Sequence, residues 1–317
     1  MKNVLIIFFV FLFSFNVISC SSKDSGSSST STASDDKTNV CSSSSISTRQ
    51  LARSSNDYAY GVATDSSGNV YVTGGTNGGL DGNTNTGNTD LFVVKYSSSG
   101  TKQWTKQLGS SSRDSAYGVA TDSSGNVYVT GMTNGGLDGC KNAGVEDLFV
   151  VKYNSSGTKQ WTKQLGTSKH DRARGVATDS SGNVYVTGDT YGGLDGNTNA
   201  GYNDLFVVKY NSSGTKQWTK QIGTSSTDLA NGIATDSSGN IYVTGGTYGG
   251  LDGNTNAGNS DLFVVKYNSS GTKQWTKQLG SSSRDYDYGV ATDSSRNVYV
   301  SGDTYGRLDG NTNWQSH

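Results

Sequence analysis

A unit that recurs every 57 residues constrains the fold of this chain more than any other feature. Its most recognisable segment, T-D-S-S-G-N-V-Y-V-T-G or a close variant, places an aspartate in register at Asp65, Asp122, Asp179, Asp236 and Asp293. L-F-V-V-K-Y and G-T-K-Q-W-T-K-Q follow it in four copies. A fixed period of this kind indicates one supersecondary unit stacked many times, so residues present in every copy are expected to serve the scaffold.

Each unit contains four predicted strands, which we call a, b, c and d. In the second copy they are predicted at about 116–121, 126–131, 148–153 and 159–165. D-S-S-G-N and N-S-S-G-T favour tight turns between a and b and between c and d, because Asp, Asn and Ser bond the local backbone and Gly tolerates positive φ. The sequence therefore predicts an all-β β-propeller of four-stranded antiparallel blades.

The two ends of the repeat region are incomplete units. Residues 49–51 align with 106–108 one period later, so the folded region is predicted to open with a lone d strand. Four full blades and strands a and b of a partial fifth follow, and strand c of that fifth blade would begin near residue 318. The final W-Q-S-H leaves the pattern, which indicates a truncated C-terminus. Ring closure is left open.

Each full repeat resembles the SBBP β-propeller repeat family of bacterial surface and secreted proteins. The resemblance is carried by three segments in constant order, G-N-V-Y-V-T-G, D-L-F-V-V-K-Y and G-T-K-Q-W-T-K-Q-L-G or close variants of them. The resemblance implies a β-propeller with largely non-enzymatic roles and carries over no catalytic residues. The G-x-x-x-W element also resembles the tryptophan-docking motif of quinoprotein propellers. That similarity implies that Trp104, Trp161, Trp218 and Trp275 join adjacent blades.

The N-terminus predicts export and lipid anchoring. Residues 1–19 carry Lys2 and then an apolar stretch too short to span a bilayer comfortably, which is typical of a signal peptide. V-I-S-C at its end resembles a bacterial lipobox, so Cys20 is the predicted lipidation (palmitate-type acylation) site; an ordinary secretory signal is the alternative. The predicted location is the cell envelope, at the outer membrane or cell surface.

The remaining domain boundaries follow from composition. Residues 20–47 are rich in Ser and Thr and poor in apolar side chains, which predicts a flexible tether, and residues 48–317 form the predicted propeller domain. Cys41 lies in the tether and Cys140 in a loop, so both are expected to be free rather than bonded to each other.

Several function classes find little support. A net charge of −1 offers no basic patch for nucleic acid. With two histidines, one glutamate and no G-x-S-x-G elbow, the sequence predicts a non-enzyme that requires no cofactor, with Ca²⁺ as the one candidate ion.

Variation between copies is concentrated at one set of loops. The a–b and c–d turns are nearly identical, whereas the b–c and d–a connections, which share the other face of an antiparallel blade, differ. Because binding residues lie on loops held by a rigid scaffold, this is the candidate ligand face. Its candidate residues are Arg172, Arg174, Tyr191, Tyr248 and Tyr305. Neutral drift at exposed positions is the alternative.

The b–c loop also carries a calcium-like pattern, since oxygen-bearing side chains alternate and a later Asp follows. An Asx-turn-rich loop is the alternative. The candidate ligands are Asp81, Asn83, Asn85, Asp90, Asp195, Asn197, Asn199, Asp204, Asp252, Asn254, Asn256 and Asp261.

Together these features predict a membrane-anchored, surface-displayed binding scaffold. Its partners would be the membrane, through the lipid anchor, and a protein or glycan ligand. A structural envelope protein and a truncated, non-functional propeller are the alternatives, and a propeller enzyme is less favoured.

Overall fold

The structure, a computed structural model, describes residues 4–6 and 55–308. The predicted signal, tether and lone d strand lie outside these residues apart from 4–6. Four four-stranded antiparallel sheets, blades 1 to 4, follow one another in chain order. Strands a to d of the first two are β2 Asp57–Thr64, β3 Val70–Thr76, β4 Asp90–Tyr96 and β5 Lys102–Leu108, then β6 Asp114–Thr121, β7 Val127–Thr133, β8 Asp147–Tyr153 and β9 Lys159–Leu165.

Blades 3 and 4 repeat this order, and a fifth sheet is smaller. Their strands are β10 Asp171–Thr178, β11 Val184–Thr190, β12 Asp204–Tyr210, β13 Lys216–Ile222, β14 Asp228–Thr235, β15 Ile241–Thr247, β16 Asp261–Tyr267 and β17 Lys273–Leu279. Blade 5 contains β18 Asp285–Thr292 and β19 Val298–Thr304, with the three-residue β1 Val4–Ile6 parallel to β19. Short 3-10 helices lie at Leu137–Gly139, Leu194–Gly196 and Leu251–Gly253. The predicted all-β fold with a partial fifth blade is confirmed.

The hydrophobic cores lie between blades. Strand c reads as an almost unbroken apolar run because both faces of each inner sheet are covered by a neighbouring sheet. In the core between blades 1 and 2, Leu91 and Val93 of blade 1 meet Val127 and Phe149 of blade 2, and all four are fully or almost fully buried. Each repeat therefore depends on the next one to bury its apolar surface.

The tryptophans lie at these contacts, as expected. Trp104 of blade 1 packs between Tyr71 of its own blade and Tyr153 of blade 2, with ring centroids 6.0 and 6.5 Å away. Its Nε1 donates to the carbonyl of Ser155, 3.3 Å away in blade 2. The indole also lies against Gly157, where a Cβ would come within 3.0 Å of the ring.

A pair of glycine variants separates docking from backbone strain. Gly157 and Gly139 both have φ near +80°, but a Cβ at Gly139 would meet nothing within 4 Å. Both Gly→Ala changes should cost about 1 kcal/mol because an L-residue is strained in this region. Gly157→Ala should cost about 1 to 2 kcal/mol more, since the methyl overlaps Trp104. Urea unfolding followed by far-UV circular dichroism measures the difference, and equal losses would contradict the docking contact.

Blade 1 differs from the later blades at its a strand. Val62 is 69% exposed. The equivalent Val119 and Val176 pack against cores shared with the preceding blade. Ala59 is exposed too, whereas Ala116 is fully buried. Among the described residues, the side of β2 that faces away from blade 2 therefore lacks the packing of its counterparts.

Candidate functional site: the variable loop face

Adjacent blades meet at a repeated backbone junction. The b–c loop of one blade and the d–a connection of the next form isolated parallel bridges at Thr89 with Arg113, Glu146 with His170, Asn203 with Thr227, and Ser260 with Arg284. In each case the aspartate that follows the d–a residue donates its backbone N–H to the carbonyl of the b–c residue. Asp171, for example, donates to the carbonyl of Glu146 at 2.8 Å. We call the surface formed by these four residue pairs and the adjoining loop residues the variable face.

Buried aspartates hold this junction in shape. The carboxylate of Asp171 accepts from the backbone N–H of Thr167 at 2.6 Å and from the hydroxyls of Thr167 and Thr190. Burial raises the pKa of this carboxyl, and the hydrogen bonds partly offset that rise. Asp114 and Asp228 make the equivalent bonds. The frame is thus the same at successive junctions, and only the side chains mounted on it differ.

At the junction of blades 2 and 3 these side chains form an ionic cluster. His170 Nδ1 lies 2.9 Å from Glu146 Oε2, and Arg172 Nε donates to the same oxygen. Burial raises the pKa of Glu146, but the bonds from Arg172 and His170 outweigh it and hold the pKa below its ordinary value. The ring of Tyr191 meets His170 edge-on, with centroids 5.4 Å apart. Arg172 and Tyr191 are therefore joined through His170.

A second ion pair extends the cluster. Arg174 Nε donates to Oδ1 of the fully buried Asp189 at 2.7 Å. The other two predicted residues lie elsewhere, at blades 4 and 5. The ring of Tyr286 meets that of Tyr305 edge-on, with centroids 6.5 Å apart. Burial raises the pKa of Tyr248, and a hydrogen bond with Tyr286 raises it further. The structure thus divides the predicted residues into a charged group and an aromatic group.

The repeat and its blades match a known family. The sequence profile described as "Beta-propeller repeat", SBBP, matches five segments of the chain, residues 48–81, 103–138, 160–195, 217–252 and 274–309. The chain belongs to the SBBP β-propeller repeat family. Within the part of the SBBP chain that the structure describes, no helix is long and apolar enough to cross a membrane.

Two curated relatives of the SBBP chain are distant in sequence and much longer. An uncharacterized WD repeat-containing protein of Acanthamoeba polyphaga mimivirus is 27% identical over 228 residues, covering 56% of this chain and 16% of that protein. Regulatory protein FlaEY of Caulobacter vibrioides is 28% identical over 196 residues, covering 55% and 20%. The chain thus spans about a fifth or less of the length of these relatives.

Solved structures share little sequence with the SBBP chain. Synechocystis apocarotenoid oxygenase aligns with a TM-score of 0.41 and 12% identity over 77% of this chain and 54% of that one. An ulvan lyase aligns with a TM-score of 0.39 and 11% identity over 76% and 68%.

The candidate calcium residues are engaged in hydrogen bonds within the SBBP blades. Asp195 accepts from Lys216 and from Thr219 at 2.8 Å, both on strand d, while Asp204 accepts from Gln221 and the backbone of Ala200. The amide nitrogens of Asn197 and Asn199 donate to loop carbonyls. The first half of the loop therefore folds back over strand d rather than lying at the variable face, and covers that edge strand.

The other copies repeat these bonds. Asp81 and Asp252 accept from Lys102 and Lys273, and Asp90 and Asp261 accept from Gln107 and Gln278. Among the described residues no group of three or more His, Cys, Asp or Glu side chains could hold a metal. Calcium binding through Asp81, Asn83, Asn85, Asp90 and their equivalents stays a prediction.

Among the described residues there is one cysteine, and it is not part of the four junction pairs of the variable face. Cys140 is a free, partly buried thiol whose pKa is raised by burial. Cys20 and Cys41 lie outside the described residues.

Sequence reasoning missed Glu146 and His170 as partners of Arg172. The available signal was departure from the repeat: Glu146 is the only glutamate, and it stands where the other copies carry Thr89, Asn203 and Ser260. Departures of this kind mark the side chains that distinguish one junction from the next.

Proposed function

We propose that this SBBP propeller is a membrane-anchored, surface-displayed binding scaffold, not an enzyme, which engages a protein or glycan through its variable face. One observation carries the proposal. Four junctions share the same backbone bridge yet present a different pair of side chains, from Thr89 with Arg113 to Glu146 with His170. A rigid frame with variable side chains is the arrangement that binding proteins use.

The chemistry of the charged group supports recognition. Arg172 and Tyr191 are partly exposed and are held in place by Glu146 and His170, which lowers the entropy lost when a ligand orders them. Together with tryptophan, arginine and tyrosine are the side chains enriched among the residues that dominate binding energy. The anchoring part of the proposal is supported by the sequence of residues 1–47, with acylation at Cys20.

A ligand screen with face variants tests the proposal. The full-length protein, solubilised in detergent, is applied to a glycan array and used to capture purified envelope proteins. Arg172→Ala, Tyr191→Ala and Tyr248→Ala should each weaken a hit by about tenfold, which corresponds to 1.4 kcal/mol. Gln217→Ala, at an exposed strand-d position identical in four copies, is the matched control and should leave affinity unchanged. Hits that survive all three face variants would overturn the proposed surface.

A structural role in the envelope is the second candidate. It is favoured by the exposed side of β2, where Val62 and Ala59 are open to contact with another molecule. If neither the glycan array nor the protein capture gives a hit, and the protein self-associates in analytical ultracentrifugation, a structural role is favoured over ligand binding.

A further inference from the structure

A cavity opens on the variable face between blades 1 and 2, away from the charged group. Its volume is about 250 Å³, and its lining includes Tyr58, Tyr60, Gly75, Asn77, Arg113 and Ser115. This is the size of a small pocket in which an aromatic surface and a few polar groups can orient a ligand.

The cavity lies where two small residues, Gly75 and Ser115, face each other across the junction. Gly75 occupies the position that Met132 fills in blade 2 and Asp189 fills in blade 3, and both of those side chains are buried. Blade 4 also carries a glycine there, Gly246, but at that junction the repeat equivalent of Ser115 is the larger Tyr286. Across the junction, Ser115 is small where the next copy carries Arg172. The junctions that follow blades 2 and 3 use this space for packing or for an ion pair, whereas Gly75 and Ser115 leave it open here.

Two tyrosines form one wall. Tyr58 and Tyr60 lie two positions apart on β2, with ring centroids 6.2 Å apart and planes only 10° apart, and each is 49% exposed. The ring of Tyr117 packs edge-on against that of Tyr60, with centroids 5.3 Å apart, and supports it. The rings offer electron-rich faces to the weakly positive C–H groups of a ligand.

Arg113 supplies an unpaired charge beside this wall. At the equivalent position of the next junction, His170 is paired with Glu146, but here Thr89 stands in the place of that glutamate. Among the residues described, Arg113 makes no ion pair closer than 4.0 Å, and it is exposed. The guanidinium is thus available to a ligand carboxylate, which it can bind in a bidentate manner.

The carboxylate that follows Arg113 in the sequence is engaged elsewhere. Asp114 is fully buried, and its oxygens accept from the backbone and hydroxyl of Ser110 and from the hydroxyl of Thr133. Asn77 adds a polar group to the lining. Its side-chain oxygen Oδ1 accepts a hydrogen bond from the Thr89 hydroxyl at 3.0 Å, so its side-chain nitrogen is left to donate to a ligand.

We propose that this cavity binds a uronic-acid saccharide, with a sugar ring against Tyr58 and Tyr60 and its carboxylate paired with Arg113. A sugar combines C–H faces with dense hydroxyl groups, which suits a wall of two aromatic rings beside amide and hydroxyl side chains. The proposal rests on the proposed function only in that both use the variable face. It names a different junction and a definite ligand class.

The test measures binding of trigalacturonate and trimannuronate to the full-length protein by calorimetry, with cellotriose as the neutral counterpart. We expect wild-type protein to prefer at least one acidic trimer, and the preference to fall as salt screens the charge. Arg113→Gln should weaken binding of that trimer by at least about tenfold, which is 1.4 kcal/mol, and should remove the preference for it over cellotriose. Tyr60→Ala should weaken it by a similar factor.

Matched controls come from blade 5. Arg296 is exposed in the a–b turn of blade 5, on the face opposite the variable face, and Tyr288, which is 68% exposed, is the repeat equivalent of Tyr60. Arg296→Gln and Tyr288→Ala should leave the affinity unchanged. Absence of any preference for an acidic trimer, or equal loss in both pairs of variants, would overturn the site. Binding lost in Arg172→Ala but kept in Arg113→Gln would overturn this site and leave the proposed function standing.

Discussion

Trp161→Ala is expected to lower the free energy of unfolding by about 3 kcal/mol, at the lower end of the range for removing a large aromatic side chain because the indole is only partly buried. The indole packs between Tyr128 of blade 2 and Tyr210 of blade 3, with centroids 6.0 and 6.4 Å away, and its Nε1 donates to the carbonyl of Ser212 at 3.3 Å. The substitution therefore removes a contact between two blades as well as packing within one of them.

Equilibrium urea unfolding followed by far-UV circular dichroism measures this loss, since the signal does not depend on the deleted fluorophore. Because each blade completes its neighbour's core, we expect the transition to broaden as the two halves of the blade array uncouple. Tyr202→Ala in blade 3, where the ring is 75% exposed, is the control and should change stability by less than about 0.5 kcal/mol. A loss below about 1 kcal/mol for Trp161→Ala would show that the tryptophan does not join the blades.

Asp287→Ala is expected to stabilise the protein at neutral pH. This aspartate stands where the other copies carry Ala59, Ala116, Ala173 and Ala230. Burial raises its pKa from 3.8 to about 6, although a hydrogen bond from Asn231 and the charge of Arg174 act in the opposite direction. Ionising the buried carboxyl therefore costs free energy, and the alanine of the other blades removes that cost.

The pH dependence has a definite sign. Between pH 4 and pH 6 the folded protein holds a proton on Asp287 that the unfolded chain has lost, so the stability of the native protein falls as pH rises through this window. Asp287→Ala should match the native protein near pH 4 and exceed it by about 3 kcal/mol at pH 7, from roughly two pKa units at 1.36 kcal/mol each. Thermal unfolding from pH 4 to pH 8 measures the difference.

Asp287→Asn is the companion variant, because it removes the charge and keeps an acceptor for Asn231, which donates to Asp287 Oδ1 at 3.0 Å. It should show the same flattened pH dependence. A gain for either variant that is equally large at pH 4 and pH 7 would contradict the role of ionisation.

The blades could be predicted from the sequence because their determinants are local. The four strands expected in the second copy lie within two residues of β6 to β9, since turn residues and strand formers act over a few positions. The position of the variable face followed from antiparallel connectivity. The same local reasoning placed Arg172 and Tyr191 at this face.

The contacts at the face could not be predicted in this way. Glu146 meets His170 and Arg172 across a blade junction, 24 and 26 residues along the chain, and their pairing depends on the angle between two sheets. The cavity proposed to bind a saccharide depends on two small residues, Gly75 and Ser115, which face each other across a junction and form no motif. The pKa of Asp287 depends on burial by the neighbouring blade, which a single repeat does not reveal.

The parallel bridge between blades has an evolutionary consequence. Because each junction takes one residue from a b–c loop and one from the following d–a connection, as with Glu146 and His170, its chemistry belongs to a pair of repeats. Duplicating or deleting one 57-residue unit keeps the backbone frame and creates a new pairing at the join without any point mutation. Recombination within such a gene would thus generate new recognition surfaces from existing halves.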